Sequence, residues 1–129
     1  MRYLTRSIVV LALTGASVSI VAFAKQTSSA SSLHTEKGIA AFYGRNMEGH
    51  KTACGGTYVG SELTTAHRTL PCGTKVRITN TKNGKTVEAT VNDHGPMSRK
   101  RIVDVSRAVA EQLDFVKQGT TTVEIEVVK

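Results

Sequence analysis

Three polar clusters break an otherwise alternating sequence, and each sets hydroxyl or titratable side chains beside Gly or Pro. They are Thr52-Ala53-Cys54-Gly55-Gly56, the stretch from Leu63 to Thr74, and Val91-Asn92-Asp93-His94-Gly95-Pro96 followed by Arg101 to Ser106. Rigid turns presenting such groups are how sites are built on small scaffolds. The chemistry on offer is proton transfer. A carboxyl works as an acid at neutral pH only where burial or a neighbouring anion favours its protonated form. Two divisions of labour follow: Asp93 as acid and base, or His67 as the acid with Asp93 orienting it or stabilising positive charge on the substrate. Thr52, Thr65, Arg68, Asn92, His94 and Asp104 are the candidate substrate contacts.

Each of these residues also has a plainly structural use. An Asp ahead of Gly-Pro bonds backbone N–H groups of its own turn. Asp104 stands where it can help cap a helix at Ser106 or pair with Arg101 or Arg107, and His67 can tie two strands together at a rim. His67, Asp93 and His94 form a zinc-type ligand set by residue type, but the adjacency of Asp93 and His94 is awkward for ligation, and no metal is expected. Tyr43 and Tyr58 are core residues or platforms for a sugar, with Tyr43 assigned to the core; His34 and His50 read as solvated loop residues.

The elements that must hold these clusters are short strands. Gly38 to Tyr43 opens the series and Gly44 ends it, while Lys75–Asn80 and Thr86–Val91 alternate apolar with polar residues. Asn83-Gly84 between them is a hairpin signal, because both residue types accept positive φ. The chain then enters an irregular turn over 92–96 and a short strand over Ile102–Val105; Ser106 caps a helix over Arg107–Leu113, with Val109 and Leu113 on one face. The run from Thr121 to Val128 alternates cleanly and closes the sheet. Many short strands with one short helix predict a mainly β fold, a small barrel whose closure hides its edges.

The 129 residues carry a formal net charge of +7. Arg2 and Arg6, the apolar region from Ile8 and the closing Ala22-Phe23-Ala24 predict a signal peptide over 1–24, the alternative being an uncleaved anchor over Ser7 to Ala24. The Ser- and Thr-rich stretch that follows reads as a flexible linker over 25–37, leaving a domain over 38–129. Two of the 17 basic residues and none of the 10 acidic ones lie in the leader, so the mature chain is net +5. Such a charge suits anionic partners. Export and the lack of a nucleic-acid motif turn that expectation from nucleic acid toward a carboxylate-bearing wall polymer. In an oxidising compartment Cys54 and Cys72 are expected to pair, adding about 3 kcal/mol in the chain-entropy model; two buried thiols, or a Cys paired with His67, are the alternatives.

The ordered motifs Gly-x-Ala-x-x-Tyr-Gly (Gly38 to Gly44), Thr-Ala-x-Gly (Thr52 to Gly55), Leu-Thr-x-Ala-His-Arg-Thr-Leu-Pro-x-Gly-Thr (Leu63 to Thr74), Asn-Asp-x-Gly-Pro (Asn92 to Pro96) and Arg-Ile-x-Asp-x-Ser (Arg101 to Ser106) resemble the RlpA, or rare lipoprotein A, family across nearly all of 38–129. The resemblance implies a six-stranded double-psi β-barrel with one or two short helices. It also implies a role at bacterial peptidoglycan, as a lytic transglycosylase on peptide-free glycan strands, without a cofactor and as a monomer. The family's proposed catalytic Glu, His and Asp fall here on Gly56, His67 and Asp93, and its usual Arg after the Asp is His94. Glu62 is the nearby carboxylate that could stand in for the missing Glu. The alternative that Gly56 raises is a non-catalytic peptidoglycan-binding module, or an expansin-like one that loosens walls. With no Cys at the end of the leader, the resemblance implies an exported, periplasmic or secreted form without a lipid anchor.

Overall fold

Alternation along β3 (Lys75–Asn80), β4 (Thr86–Asp93) and β6 (Thr120–Val127) turns Val76, Ile78, Val87, Ala89, Val91, Val123 and Ile125 into one interior. The computed structural model describes residues 34–129 together with Gly15 and Ser17, so the expected leader, those two residues apart, and positions 25–33 of the expected linker lie outside the described residues. With β1 (Thr35–Phe42), β2 (Thr64–His67) and β5 (Arg101–Val105), the strands close into a barrel in the order β1-β5-β2-β4-β3-β6. The β1/β5 and β2/β4 pairs are parallel and the rest antiparallel. Among the described residues no helix is long and apolar enough to cross a membrane.

Two strand boundaries differ from the sequence reading by more than one residue, and one strand, β2, was not expected. β1 starts at Thr35, because Thr35 to Lys37 pair with Glu126 to Glu124 of β6 and so leave the expected linker. β4 runs through Asn92 and Asp93, where an irregular turn was expected, since Asp93 pairs with Ala66 across a register shift in β2. β2 itself has no alternation to betray it: all four of its residues are buried. The hairpin between β3 and β4 forms as expected, but only Gly84 takes positive φ (74°), while Asn83 uses its side chain to reach the carbonyl of Leu113 (2.9 Å).

Helix α1 (Arg107–Gln112) closes one end of the barrel. Val109, Ala110 and Leu113 are fully buried there with Phe115, whose ring meets Phe42 edge-on at 5.7 Å. Ser106 is the cap that the sequence announced, and it does more than cap. Its hydroxyl accepts from Val109 N (3.3 Å) and Thr64 N (3.4 Å) and donates to the Glu62 carbonyl (2.6 Å), tying the helix start to the entry of β2. Losing a cap costs about 1 kcal/mol, and losing the further hydrogen bond to the Glu62 carbonyl costs about another 1 kcal/mol. Ser106→Ala is therefore expected to lower unfolding stability by about 2 kcal/mol in urea titrations, with an unchanged m-value.

Candidate functional site

Ala66 is the register partner of Asp93 on one side and of Asp104 on the other. Paired residues emerge on the same face of a sheet, with neighbouring strands about 4.8 Å apart. The two acids therefore flank one small side chain, with Cα atoms on the order of 10 Å apart. Their surroundings differ. Asp104 is ion-paired with Arg101, Nε to Oδ1 at 3.0 Å and Nη2 to Oδ2 at 3.4 Å. Asp93 is held by neutral donors only. The Tyr43 hydroxyl donates to Oδ2 (2.6 Å), and the backbone N–H groups of Ala53 (2.8 Å) and His94 (2.9 Å) both donate to Oδ1.

The donors come from three parts of the chain. Tyr43 follows β1 directly, Ala53 sits in the loop between the paired residues Lys51 and Thr57, and His94 begins the turn after β4. The Cys54–Cys72 disulfide (Cα–Cα 5.7 Å) fastens that loop to the β2–β3 connection, so the thiol alternatives for these cysteines fall away. Thr52 stiffens the same loop by donating its hydroxyl to the Gly55 carbonyl (2.9 Å). Gly56 there has φ 77° and open space where a Cβ would lie. Gly95, at φ 135°, lets the chain leave Asp93 sharply.

Tyr43 is the residue that the sequence reading misplaced. It is half-buried rather than part of the core, and its hydroxyl serves Asp93; Tyr58, packed against it at 4.5 Å, is the buried one of the pair. Burial, then the hydrogen bond and charge of Asp93, then the charge of Asp104, push the Tyr43 phenol far above its ordinary range. It stays a neutral donor. The signal for it was its place at the end of the first expected strand, inside the Gly-x-Ala-x-x-Tyr-Gly run.

His67 belongs to a different group. It is 3 % exposed, and its Nδ1 accepts from Thr69 N (3.1 Å) and Leu70 N (3.0 Å), so the network assigns the ring proton to Nε2, which faces Glu36 Oε2 at 2.9 Å. His67 shares no hydrogen bond with Asp93; Glu36, expected to lie in a linker, is its partner, and exposed His34 joins them with Nε2 at 3.6 Å from the same Glu36 oxygen. A metal-bound imidazole donates its second N–H outward, yet His67 Nδ1 faces two donors, so the His34–Glu36–His67 cluster does not suit a metal. The other cluster of ligand-type side chains among the described residues is Cys54, Cys72 and His94, whose sulfurs are oxidised; the zinc set of His67, Asp93 and His94 is not assembled.

The remaining expected contacts divide. Thr65, 1 % exposed, donates into the barrel wall at the Asp104 carbonyl (3.2 Å), which removes it from any binding face. Asp104 pairs with Arg101 and takes no part in capping, which Ser106 does alone. Asn92 holds a shielded amide oxygen with no protein partner. Glu62 is exposed before β2. Arg68 and His94 line a cleft of ≈ 570 Å³ with Pro96, Met97 and Arg99. Tyr43 lines another, of ≈ 550 Å³, with Arg45, Glu48, Tyr58 and Arg107. Asp93 thus bonds, through Tyr43 on one side and His94 on the other, to residues of two clefts.

The closed six-stranded barrel with two parallel strand pairs is a double-psi β-barrel, and its Asp93 carboxylate bonds to one lining residue of each of two clefts. A family model described as lytic transglycolase matches residues 35–125, and the chain belongs to this RlpA-type family. It is 51% identical over 92 residues to the endolytic peptidoglycan transglycosylase RlpA of Neisseria meningitidis serogroup A, covering 71% of this chain and 38% of that one. Against the protein of the same name from Campylobacter jejuni it is 44% identical over 94 residues, covering 73% and 34%. The chain therefore spans little more than a third of the length of these curated relatives. Among solved structures, the Streptomyces papain inhibitor superposes with a TM-score of 0.61 at 22% identity, covering 74% of this chain and 96% of that one. An expansin of Clavibacter michiganensis gives 0.59 at 19%, covering 74% and 51%. Both share the fold.

Tyr43 also gives the site a signature at alkaline pH. The folded chain holds the phenol proton more tightly than the unfolded chain, whose phenol titrates near 10. Its contribution is whole below that pH and is lost as pH rises beyond it. Burial raises Tyr58 as well, so Tyr43→Phe is expected to reduce, without abolishing, the fall in urea midpoint between about pH 9 and 11. The same variant removes one bond to a charged acceptor and is expected to cost about 1.5–3 kcal/mol at pH 7.

Proposed function

We propose that this domain is an endolytic transglycosylase, cutting the β-1,4 link between MurNAc and GlcNAc in peptide-free glycan strands, with Asp93 as acid and base. The observation that carries this reading is the hydrogen-bonding of Asp93. A carboxylate offers about four lone-pair sites, and three are taken by Tyr43, Ala53 and His94. One remains, on Oδ2, for a transferred proton. No cation has to give up a partner when Asp93 takes that proton, whereas Asp104 would have to release Arg101.

Asp93 gives its proton to the leaving O4 of GlcNAc as the bond to MurNAc C1 breaks. The resulting carboxylate stabilises positive charge on the sugar ring. It then draws the proton from the MurNAc 6-hydroxyl as O6 closes on C1, leaving a 1,6-anhydro end and a protonated Asp93. Water takes no part, and one carboxyl suffices, unlike the two needed by ordinary glycosidases. Tyr43 holds Oδ2 in place throughout. His67, with both ring nitrogens engaged inside the protein, acts as a positioning residue for the 67–70 turn and the start of β1. Clefts on both sides of the acid suit an enzyme that cuts within a strand. Such a polymer lies outside the cytoplasmic membrane, and the disulfide supports an exported protein.

Gly56 favours a second reading, a non-catalytic wall-binding module, because it leaves the Ala53 loop without the family's carboxylate. Purified oxidised protein incubated with peptide-free strands separates the two. Anhydro-ended fragments are expected by mass spectrometry, falling at least about 100-fold in Asp93→Asn. Strands that co-sediment with the protein but are never cut would support the binding module instead. Neither cutting nor co-sedimentation would sink both.

A further inference from the structure

Three of the six described arginines have a carboxylate partner. Arg77 has Glu88 and Glu126, Arg101 has Asp104, and Arg107 has Glu111. The cleft beside Asp93 is different. Its lining is Arg68, His94, Gly95, Pro96, Met97 and Arg99, with no acid among them. Arg68 spends one nitrogen on structure: Nη1 donates to the carbonyls of Pro96 (3.2 Å), Ser98 (3.1 Å) and Arg101 (2.8 Å), which fixes the 96–101 loop around it. Its Nε and Nη2 have no protein partner. Arg99 has neither an ion pair nor a side-chain hydrogen bond among the described residues, and Lys100 beside it is likewise unpaired through its side chain. The His94 ring is oriented by Nδ1 on the His67 carbonyl (3.4 Å).

We infer that this cleft is a carboxylate subsite, and that the carboxylate is the lactyl group of a MurNAc bearing no stem peptide. The inference rests on the transglycosylase reading and deepens it. An acid-free cleft with one fixed and one free guanidinium selects an anion, and a guanidinium fork matches a carboxylate in shape as well as charge. In a strand of N-acetylated sugars the lactyl group is the one anion, and it sits on the very sugar whose C1 must meet Asp93. The cleft begins one residue beyond Asp93, at His94. A peptide joined to the lactyl group turns the carboxylate into an amide and adds bulk at the same point. The cleft thereby sets MurNAc over the acid and prefers strands from which peptides have been removed.

Arg99→Gln is the direct probe, since the side chain is exposed and unpaired. Short peptide-free strands, the same strands with lactyl groups converted to methylamides, and peptide-bearing strands are titrated calorimetrically and assayed for cutting. For peptide-free strands, Arg99→Gln is expected to weaken binding about two- to fivefold, with the effect on KM rather than kcat. On methylamide strands the wild type is expected to fall to the level of the variant. Lys117→Gln, which removes an equal charge from the turn after α1, is expected to change nothing. Wild-type protein that binds methylamide and peptide-free strands equally well, or an equal loss in Lys117→Gln, overturns the subsite and leaves the transglycosylase reading intact. A loss in Arg99→Gln confined to peptide-bearing strands assigns the cleft to stem-peptide carboxylates and also overturns it. Wild-type protein that neither binds nor cuts any strand overturns both readings.

Discussion

The carboxylate of Asp93 is where three separately built parts of the chain meet: the end of β1 through Tyr43, the disulfide-held loop through Ala53, and its own strand's exit through His94. Hydrogen bonds to a charged acceptor contribute about 1.5–3 kcal/mol each, and here they also settle where each part lies. The loop is fixed from both sides. The disulfide joins it to the β2–β3 connection, and that connection is anchored on β4 just before Asp93, through Gly73 N to the Val91 carbonyl (2.7 Å) and Val91 N to the Thr74 carbonyl (2.8 Å). The acid is thus held by groups that the acid itself helps to hold.

Much of this frame was legible in the sequence because its physics is local. Alternation marked β3, β4 and β6 since each has one face in the core, Ser106 marked a helix start since its hydroxyl serves the next turn, and two cysteines in a chain expected to be exported marked a staple. The parts that escaped depend on distant partners. β2 has no period because parallel β4, antiparallel β5 and the rest of the fold cover all four of its residues, so Thr65 looks like a surface hydroxyl and is a wall residue. Glu36 sits in a run of polar residues that reads as linker, and only the closing of β1 on β6 carries it to His67. Nothing local to Tyr43 says that its phenol reaches a carboxylate 50 residues away.

The candidate site was legible in its residue types and less so in its grouping. His67 and Asp93 looked like one catalytic pair. The structure spends the imidazole elsewhere, with its Nδ1 lone pair under two amides and its Nε2 proton on Glu36. The same two amides weigh against both general-acid work and metal ligation at His67, since each needs Nδ1 to carry the proton. The resemblance put His67 beside Asp93 in one catalytic set, and the hydrogen bonds of the imidazole give the histidine a different part.

The departure at Gly56 bears on how many carboxylates the reaction needs. A hydrolase that activates water, or forms a glycosyl ester, needs a second carboxylate opposite the first. Attack by the 6-hydroxyl of the same sugar needs none, because the nucleophile is delivered by the substrate and its proton returns to the group that protonated the leaving oxygen. The second acid near the site, Asp104, is ion-paired with Arg101 and separated from Asp93 by Ala66, which suits a fixed charge better than a moving proton. The loop that lacks a side chain at 56 still supplies the Ala53 N–H that orients Asp93. On the proposed reading, a single oriented carboxyl with a neutral phenol beside it is enough for intramolecular cleavage, although it would not be enough for hydrolysis.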